Sequence, residues 1–410
     1  MENSTIDEEL DEELDEGVKV VRKSRRARIQ EEERKESSRR KNSKNRRSNK
    51  KEKSNKISKI NIIFTSLFSL GSVGIITVLI LLYGPFIGFR EWLVTTAMTT
   101  MTHQYFATWF YDDETIQYIL DKNRVVEINE TTDVNSINFA NSNKVTEYEN
   151  EYERAILERD ENNNDYKIIE ISEKSFDGYL VAVYDPSRIH TVVTENLGKS
   201  GQYLTTMAKN NDALIAINGG GFDDPNFNST GGSPLGITVC NGEYVTTKSY
   251  GGSGGIIGFT EDNKLVLGKM SVSEAKKQGI RDAVTFGPFL IVNGKPSAVL
   301  GNGGWGDAPR TAIAQRQDGI VLFLVLNGRR PGKVGADMND LIDILERYGA
   351  YNAANLDGGT SSVLVVNDVI VNDPIDSTGA HKTRPISTGF IVTKDESDDS
   401  DHSLVEEKLK

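Results

Sequence analysis

A single cysteine, Cys240, stands in 410 residues, which excludes an intramolecular disulfide framework and any site built on CxxC pairs. Histidine is almost as scarce. His103, His190, His381 and His402 lie far apart, so no local zinc motif of the HExxH type is present. Basic charge is thin over most of the chain: residues 1–59 carry 19 Lys/Arg against 14 Asp/Glu, and the rest carries 29 against 46. Nonspecific nucleic-acid binding depends on Lys and Arg displacing counterions from phosphates, so this acidic, aromatic-poor body excludes nucleic acid as the main partner. Apolar periodicity is absent from residues 1–59, which open on the acidic block Asp7–Glu16 and continue into runs such as Arg39-Arg40-Lys41 and Arg46-Arg47. Such a segment cannot bury enough apolar surface to offset its ordering entropy, which predicts a disordered charged tail. It serves either as a polybasic arm for anionic lipid or nucleic acid, or simply as the solvated flank that orients a membrane span.

What is present is sharply segregated. The length predicts two or three domains. From Ile60 to Phe89 no residue is charged, and Ile62 to Tyr83 is mostly Ile, Leu, Val and Phe. A helix needs roughly 20 such residues to cross the hydrocarbon core, so residues 60–84 are predicted to form one transmembrane helix. The run starts too far along the chain for an ordinary signal peptide. Lys and Arg crowd its N-terminal flank, which predicts a single-pass cell-membrane protein with the tail cytoplasmic and the main domain extracellular. Trp92 to Tyr111 is uncharged too, but six threonines, His103 and Gln104 make a second crossing costly. Its aromatic residues suit a helix lying at the interface or packed on the exported domain. Residues 85–164 therefore read as a juxtamembrane segment and polar linker, ending in Asn162-Asn163-Asn164.

From residue 165 to 394 short β-rich runs recur: Tyr179–Tyr184, Ala213–Asn218, Leu265–Leu267, Phe289–Val292, Ala312–Ala314, Ile320–Leu326, Val363–Val366, Val369–Val371 and Phe390–Val392. Asn241-Gly242, Asn293-Gly294 and Asn367-Asp368 punctuate them as turns. Of 37 glycines, 29 lie at or beyond Gly219. Two helices are predicted, Tyr203–Lys209 and Met338–Tyr348, the second with Asp337 as N-cap and Gly349 just past its end. Strands outnumber helices, so the fold class is α+β with a large, mostly antiparallel sheet. Residues 395–410 read as a disordered charged tail.

Three places concentrate polar groups beside glycines at strand ends. Asn218-Gly219-Gly220-Gly221-Phe222-Asp223-Asp224 follows an apolar strand, where amides can form an anion nest or the glycines can simply turn the chain. Asn355-Leu356-Asp357-Gly358-Gly359-Thr360-Ser361-Ser362 sets one carboxylate among small donors, suited to general acid/base work, although Asp-Gly is also a plain hairpin signal. Arg310, Arg329 and Arg384 sit at strand boundaries, as surface ion pairs or as phosphate ligands. Cys240 reads as buried filler, with no histidine nearby in sequence to activate it.

Taken in order with Gly231-Gly232-Ser233-Pro234, Gly287-Pro288-Phe289-Leu290, Arg310-Thr311-Ala312 and Asn327-Gly328-Arg329, these segments resemble the phosphodiester glycosidase family over residues 170–393. Two departures stand out: Gly221 replaces an aromatic residue of the first motif, and Thr360 stands where the family often has Gly. The tail, the anchor and the Thr-rich segment lie outside the resemblance and look like a Gram-positive bacterial arrangement. The resemblance implies hydrolysis of a sugar 1-phosphodiester to free sugar and a phosphomonoester, acting on phosphate-containing glycans or envelope polymers. The alternative is a non-catalytic binding or assembly protein for anionic glycans in exopolysaccharide or cell-envelope synthesis. A third possibility is a metal-dependent phosphodiesterase cutting the P–O bond. Asp357 is the first candidate for the carboxylate acting as base or stabilising the cation, and Asp223 the second. Arg310, Arg329, Arg384 and the amides of Gly219, Gly220, Gly358 and Gly359 are candidates for the phosphate. Asn218, Asn327, Thr360 and Ser361 are candidates for sugar hydroxyls or phosphate oxygens. No cofactor is required, and a divalent cation stays open, since Asp357, Asp223 and Asn218 offer oxygen donors at a spacing that matches no metal motif.

Overall fold

The computed structural model describes residues 4–99, 103–139, 147–160, 163–223, 230–376 and 378–394. The chain divides into two units, Met1–Phe86 and Ile87–Lys410. The tail expected over 395–410 and the Asp224-Pro225 turn lie outside the described residues.

The first unit holds a helix, α1 (Ser4–Tyr83), which runs through residues 4–59 of the segment read as a disordered tail. Glu, Lys and Arg are strong helix formers, and ion pairs such as Glu31–Lys35 at 2.6 Å and Glu36–Arg40 at 2.9 Å each add a few tenths of a kcal/mol. Local propensity thus builds a helix where no apolar face exists to be buried. From Asn61 to Tyr83 the helix has the length and composition to cross a membrane, 23 residues in all. Ile62, Phe64, Phe68, Leu70 and Ile75 are exposed on it. The helix stops at Gly84-Pro85, where proline restricts the residue before it and has no amide hydrogen to donate.

The second unit is α+β, as expected, and its strand pairings are antiparallel. Seven strands form the largest sheet, in the order β12 (Lys295–Pro296), β11 (Phe289–Val292), β16 (Ala350–Asn355), β14 (Arg310–Arg316), β15 (Val321–Leu326), β3 (Asp177–Val183) and β2 (Tyr166–Ser172). A second sheet runs β7 (Glu243–Thr247), β6 (Ile237–Cys240), β10 (Ile280–Phe286), β8 (Gly255–Thr260) and β9 (Leu265–Gly268). The third runs β18 (Val369–Ile370), β17 (Leu364–Val366), β5 (Ala213–Asn218), β19 (Thr388–Thr393) and β4 (Ile189–Val193). A small pair joins β1 (Val125–Val126) to β13 (Ala298–Val299).

The period-two alternation of strands sets the core. Val181, Ile313, Phe323 and Val325 point from the large sheet into a cluster with Ile215, Ile217, Ile257 and Phe259 of the other two sheets. Leu180, Ala312, Leu322 and Leu324, one residue out of phase, pack on the opposite face beneath Leu341, Ile344 and Leu345 of α8 (Met338–Arg347). Asp337 caps α8 as the sequence predicts: its carboxylate accepts from the Asp340 amide at 3.0 Å, and Asp340 accepts from the Asp337 amide at 2.9 Å.

Burial pushes the Asp340 carboxyl up to about 6, with neighbouring Asp337, Asp307 and Asp343 adding to the effect. The folded state therefore prefers the protonated acid, so this group favours folding below the usual carboxylate pKa and loses that contribution as pH rises through about 6. Asp340→Asn keeps a carbonyl acceptor for the cap. It is expected to gain about 1 kcal/mol of unfolding free energy at pH 8, after allowance for the group's partial exposure, and nothing at pH 4. Paired denaturant titrations check this.

The polar linker expected within 85–164 is instead part of the second unit. Helices α2 (Ile87–Thr99), α3 (Tyr105–Thr108) and α4 (Asp113–Lys122) pack through Val94, Ala97, Ala107, Ile116 and Ile119. Beyond them the chain is a strap bonded strand by strand: the Thr132 amide donates to Leu267 O at 3.1 Å, the Phe289 amide to Glu127 Oε1 at 2.8 Å, and the Asp133 amide to Asn293 Oδ1 at 2.7 Å. Helix α5 (Glu151–Leu157) buries Ile156 against the outer face of the large sheet. Composition alone does not separate a solvated linker from a strap whose polar groups satisfy sheet edges.

Candidate active site

The three glycine-bearing segments meet where β5, β14 and β16 end or begin. Leu356 N donates to Thr311 O at 2.8 Å, Asp357 N to Gly219 O at 3.1 Å, and Gly359 N to Pro309 O at 2.8 Å. Asn218 fastens the junction. Its Nδ2 donates to Asp357 O at 2.5 Å, while its Oδ1 accepts from Thr311 Oγ1 at 2.7 Å and Val363 N at 3.2 Å. The Asp357 carboxylate takes the Gly358 amide at 3.0 Å. Asn218 is thus a positioning residue: both contacts of its oxygen and one hydrogen of its Nδ2 are committed to this junction.

The four glycine amides expected to hold phosphate are already bonded within the protein. Gly219 N donates to Thr388 O at 2.9 Å and Gly220 N to Thr388 Oγ1 at 3.0 Å, while Gly358 and Gly359 serve Asp357 and Pro309 as above. Close approach explains the glycines better than an anion nest: a Cβ on Gly219 would stand 2.7 Å from Thr388 Oγ1, and one on Gly220 2.7 Å from Thr285 O. Charge for an anion must come from arginine. Arg310 is buried at 3% exposure, donating through Nε to Ala336 O at 3.1 Å and through Nη2 to Trp305 O at 2.7 Å and Gly306 O at 2.5 Å. Its Nη1 lies 3.7 Å from where a Gly358 Cβ would stand, and Arg329 Nη2 lies 2.8 Å from the Gly359 position. Two guanidinium groups therefore face one turn beside Asp357. Burial lowers the Arg310 pKa to about 10, which Asp337 and Asp307 partly offset, so the group stays charged at neutral pH. Burial lowers Arg329 as well, and Asp376 opposes the shift. Arg329 holds φ at 59°, a left-handed backbone rare for a side-chain-bearing residue, and Nη1 donates to Thr360 Oγ1 at 3.0 Å and Ile375 O at 3.1 Å.

Residues 211–393 match the phosphodiester glycosidase family. The likeness is confined to that part of the chain. A B. subtilis (strain 168) relative, the SPbeta prophage-derived uncharacterized protein YomE, is 27% identical over 179 residues, which is 42% of this chain and 27% of YomE. The chain thus spans about a quarter of that relative's length. Among solved structures, the zebrafish N-acetylglucosamine-1-phosphodiester alpha-N-acetylglucosaminidase catalytic domain, auto-inhibited by its pro-peptide, is 22% identical with a TM-score of 0.48, covering 58% of this chain and 86% of its own. A putative exported protein of Burkholderia pseudomallei K96243 is 17% identical with a TM-score of 0.38, covering 53% and 74% respectively.

Around this turn the remaining sequence candidates separate. Asn327 is turned away into the scaffold, donating to Asp177 Oδ1 at 2.9 Å and accepting from the Asp373 amide at 2.9 Å. Ser361 is buried in a single helical turn whose amide donates to Gly358 O at 3.2 Å. Asp223 lies at the exposed rim with Lys248 Nζ at 3.4 Å. Arg384 stacks its guanidinium 4.6 Å from the centre of the Phe222 ring, at the end of the first glycine loop. Among the described residues no three His, Cys, Asp or Glu side chains gather as a metal site. Cys240 borders a separate cleft of about 490 Å³ with His190 and Glu243, its thiol donating to Thr191 O at 2.9 Å and pushed by burial up to about 11.

Sequence reasoning missed Phe286 and Trp305. Their rings meet edge to face at 5.9 Å, beside Arg310, whose guanidinium carbon is 5.9 Å from the Trp305 ring centre. The available signal was the run Gly301-Asn302-Gly303-Gly304-Trp305-Gly306-Asp307, one aromatic among four glycines. The structure also accounts for Gly221 at a motif position usually aromatic: a Cβ there would stand 2.7 Å from the Phe286 ring, which already fills the space.

Proposed function

We propose that the domain hydrolyses sugar 1-phosphodiesters and that α1 tethers it, on the exported side of a membrane, to envelope or secreted phosphate-containing glycans. The observation that carries this is the pair of guanidinium groups of Arg310 and Arg329 turned on the Gly358-Gly359 turn beside Asp357. Breaking the anomeric C–O bond makes a cation-like sugar, which the Asp357 carboxylate stabilises or attacks through an activated water. The departing group is a phosphate already stable as an anion, so charge stabilisation by the arginines matters more than protonation. Thr360, held by Arg329, has its hydroxyl hydrogen to give to a sugar or phosphate oxygen. The full chain in detergent micelles should release free N-acetylglucosamine from an N-acetylglucosamine 1-phosphodiester or a related sugar diester. Binding of several such diesters with no sugar released overturns the hydrolase in favour of a glycan-holding role.

A further inference from the structure

The loop that carries Trp305 is tied within itself by Gly303 N to Leu300 O and Gly304 N to Asn302 Oδ1, both at 3.0 Å, and to Asn123 Oδ1 by Asn302 N at 3.1 Å. Gly301, Gly303, Gly304 and Gly306 all take positive φ, at 57°, 76°, 76° and 57°. It is held on one side by α2, the helix that follows the apolar span in sequence. Asn302 Nδ2 donates to Thr95 Oγ1 at 2.7 Å, and Thr99 Oγ1 lies 3.3 Å from Trp305 O. A Cβ on Gly306 would stand 2.5 Å from Thr96 Oγ1 and 3.1 Å from Thr96 Cα, so helix and loop are pressed together. Trp92 hydrogen-bonds the carboxyl of Asp307, which burial otherwise pushes up. On the other side the same loop is held by Arg310, through Trp305 O and Gly306 O. The Trp305 carbonyl thus accepts from the guanidinium at 2.7 Å and has the Thr99 hydroxyl of α2 beside it, which also reaches Thr96 O at 3.0 Å and Thr95 O at 3.1 Å.

We propose that α2 is a positioning element of the site: its threonine face sets the 301–307 loop, and through it the Trp305 ring and the Arg310 guanidinium. Three of the threonines that argue against a second membrane crossing face this loop: Thr95 Oγ1 accepts from Asn302, Thr99 Oγ1 lies by the Trp305 carbonyl, and Thr96 packs on Gly306. The consequence for binding rests on Arg310 serving the substrate phosphate, as proposed above. Arg310 and Trp305 touch substrate in this scheme, and Thr95 and Thr99 act only through them.

The test uses the full chain in detergent with fluorine-labelled tryptophan, whose three resonances are assigned by Trp→Phe substitution. Thr95→Val with Thr99→Val keeps the branched shape and removes both hydroxyls. The double variant should shift the Trp305 resonance and raise KM for an N-acetylglucosamine 1-phosphodiester about tenfold. Thr95→Ser with Thr99→Ser should restore both, and Ile156→Val, on the far face of the large sheet, should change neither. A wild-type Trp305 resonance and KM in the valine variant overturn the proposal. So does an equal effect from Ile156→Val at matched unfolding midpoint, or faster turnover in the valine variant, which would make α2 a cover and not a support. Should wild type neither bind nor cleave the diester, the assignment of Arg310 to phosphate falls, while the Trp305 resonance still decides the positioning claim.

Discussion

Asp357→Asn is expected to lower kcat for a sugar 1-phosphodiester on the order of 10³-fold, the usual scale for losing a positioned acid–base group. The substitution is nearly isosteric. Asn keeps a carbonyl oxygen for the Gly358 amide, which Asp357 now accepts at 3.0 Å, so the turn should stay closed. The backbone bonds to Gly219 and Asn218 do not involve the carboxylate and should survive. Unfolding free energy should therefore stay within about 0.5 kcal/mol of wild type. Affinity for the diester should not fall, because the negative charge removed faces an anionic substrate and its loss relieves repulsion. Sugar release measured beside denaturant unfolding and calorimetric binding separates these effects. Wild-type turnover in the folded variant would remove Asp357 from the chemistry.

Arg310 is expected to cost stability and activity together. It satisfies the carbonyls of Ala336, Trp305 and Gly306 inside the domain, and each buried acceptor left unpaired costs about 1–3 kcal/mol. Arg310→Met should therefore lose about 3–5 kcal/mol of unfolding free energy, the range for breaking a buried charged network. Arg310→Lys keeps the charge but offers a point donor in place of a planar fork, so it cannot serve Trp305, Gly306 and the Gly358 turn together. That variant should fold with a smaller loss, yet turn over diester about 10²-fold more slowly, the scale for removing one charge-stabilising donor. Equal losses of activity in Arg310→Lys and Arg310→Met, with stability unchanged in both, would contradict this double role.

The legible parts of the fold were those whose signals are local. The strands Ala213–Asn218 and Phe289–Val292 were read to the residue, and α8 with its Asp337 cap was read to within one residue. The turn residues Asn241, Asn293 and Asn367 do take positive φ. Strand β14 was read too short because it begins and ends on Arg310 and Arg316. Both are buried, the second by Asp318 and the carbonyl of Tyr348. Each also donates to a carbonyl far along the chain, Arg310 to Ala336 O and Arg316 to Tyr348 O, and such a partner gives no sign in the local sequence. The same holds for β8, which opens on Gly255 and is a strand because β10 and β9 flank it.

At the site, the sequence marked the three segments that meet, and the glycine amides it offered to phosphate are bonded within the protein. Glycine permits both an exposed amide and a close approach. Only the partners, Thr388 for Gly219 and Gly220 and Pro309 for Gly359, decide between them. That leaves Arg310 and Arg329 as the proposed phosphate ligands, with Trp305 and Phe286 beside them.

Hydrolysis in isotopically labelled water tests the central claim most directly, because it reports which bond breaks. Attack at the anomeric carbon places the label on the released sugar and leaves the phosphomonoester unlabelled, which is the result expected of this site. Label in the phosphate would mean P–O cleavage and would contradict the assignment of Asp357 and the two arginines to a glycosidase.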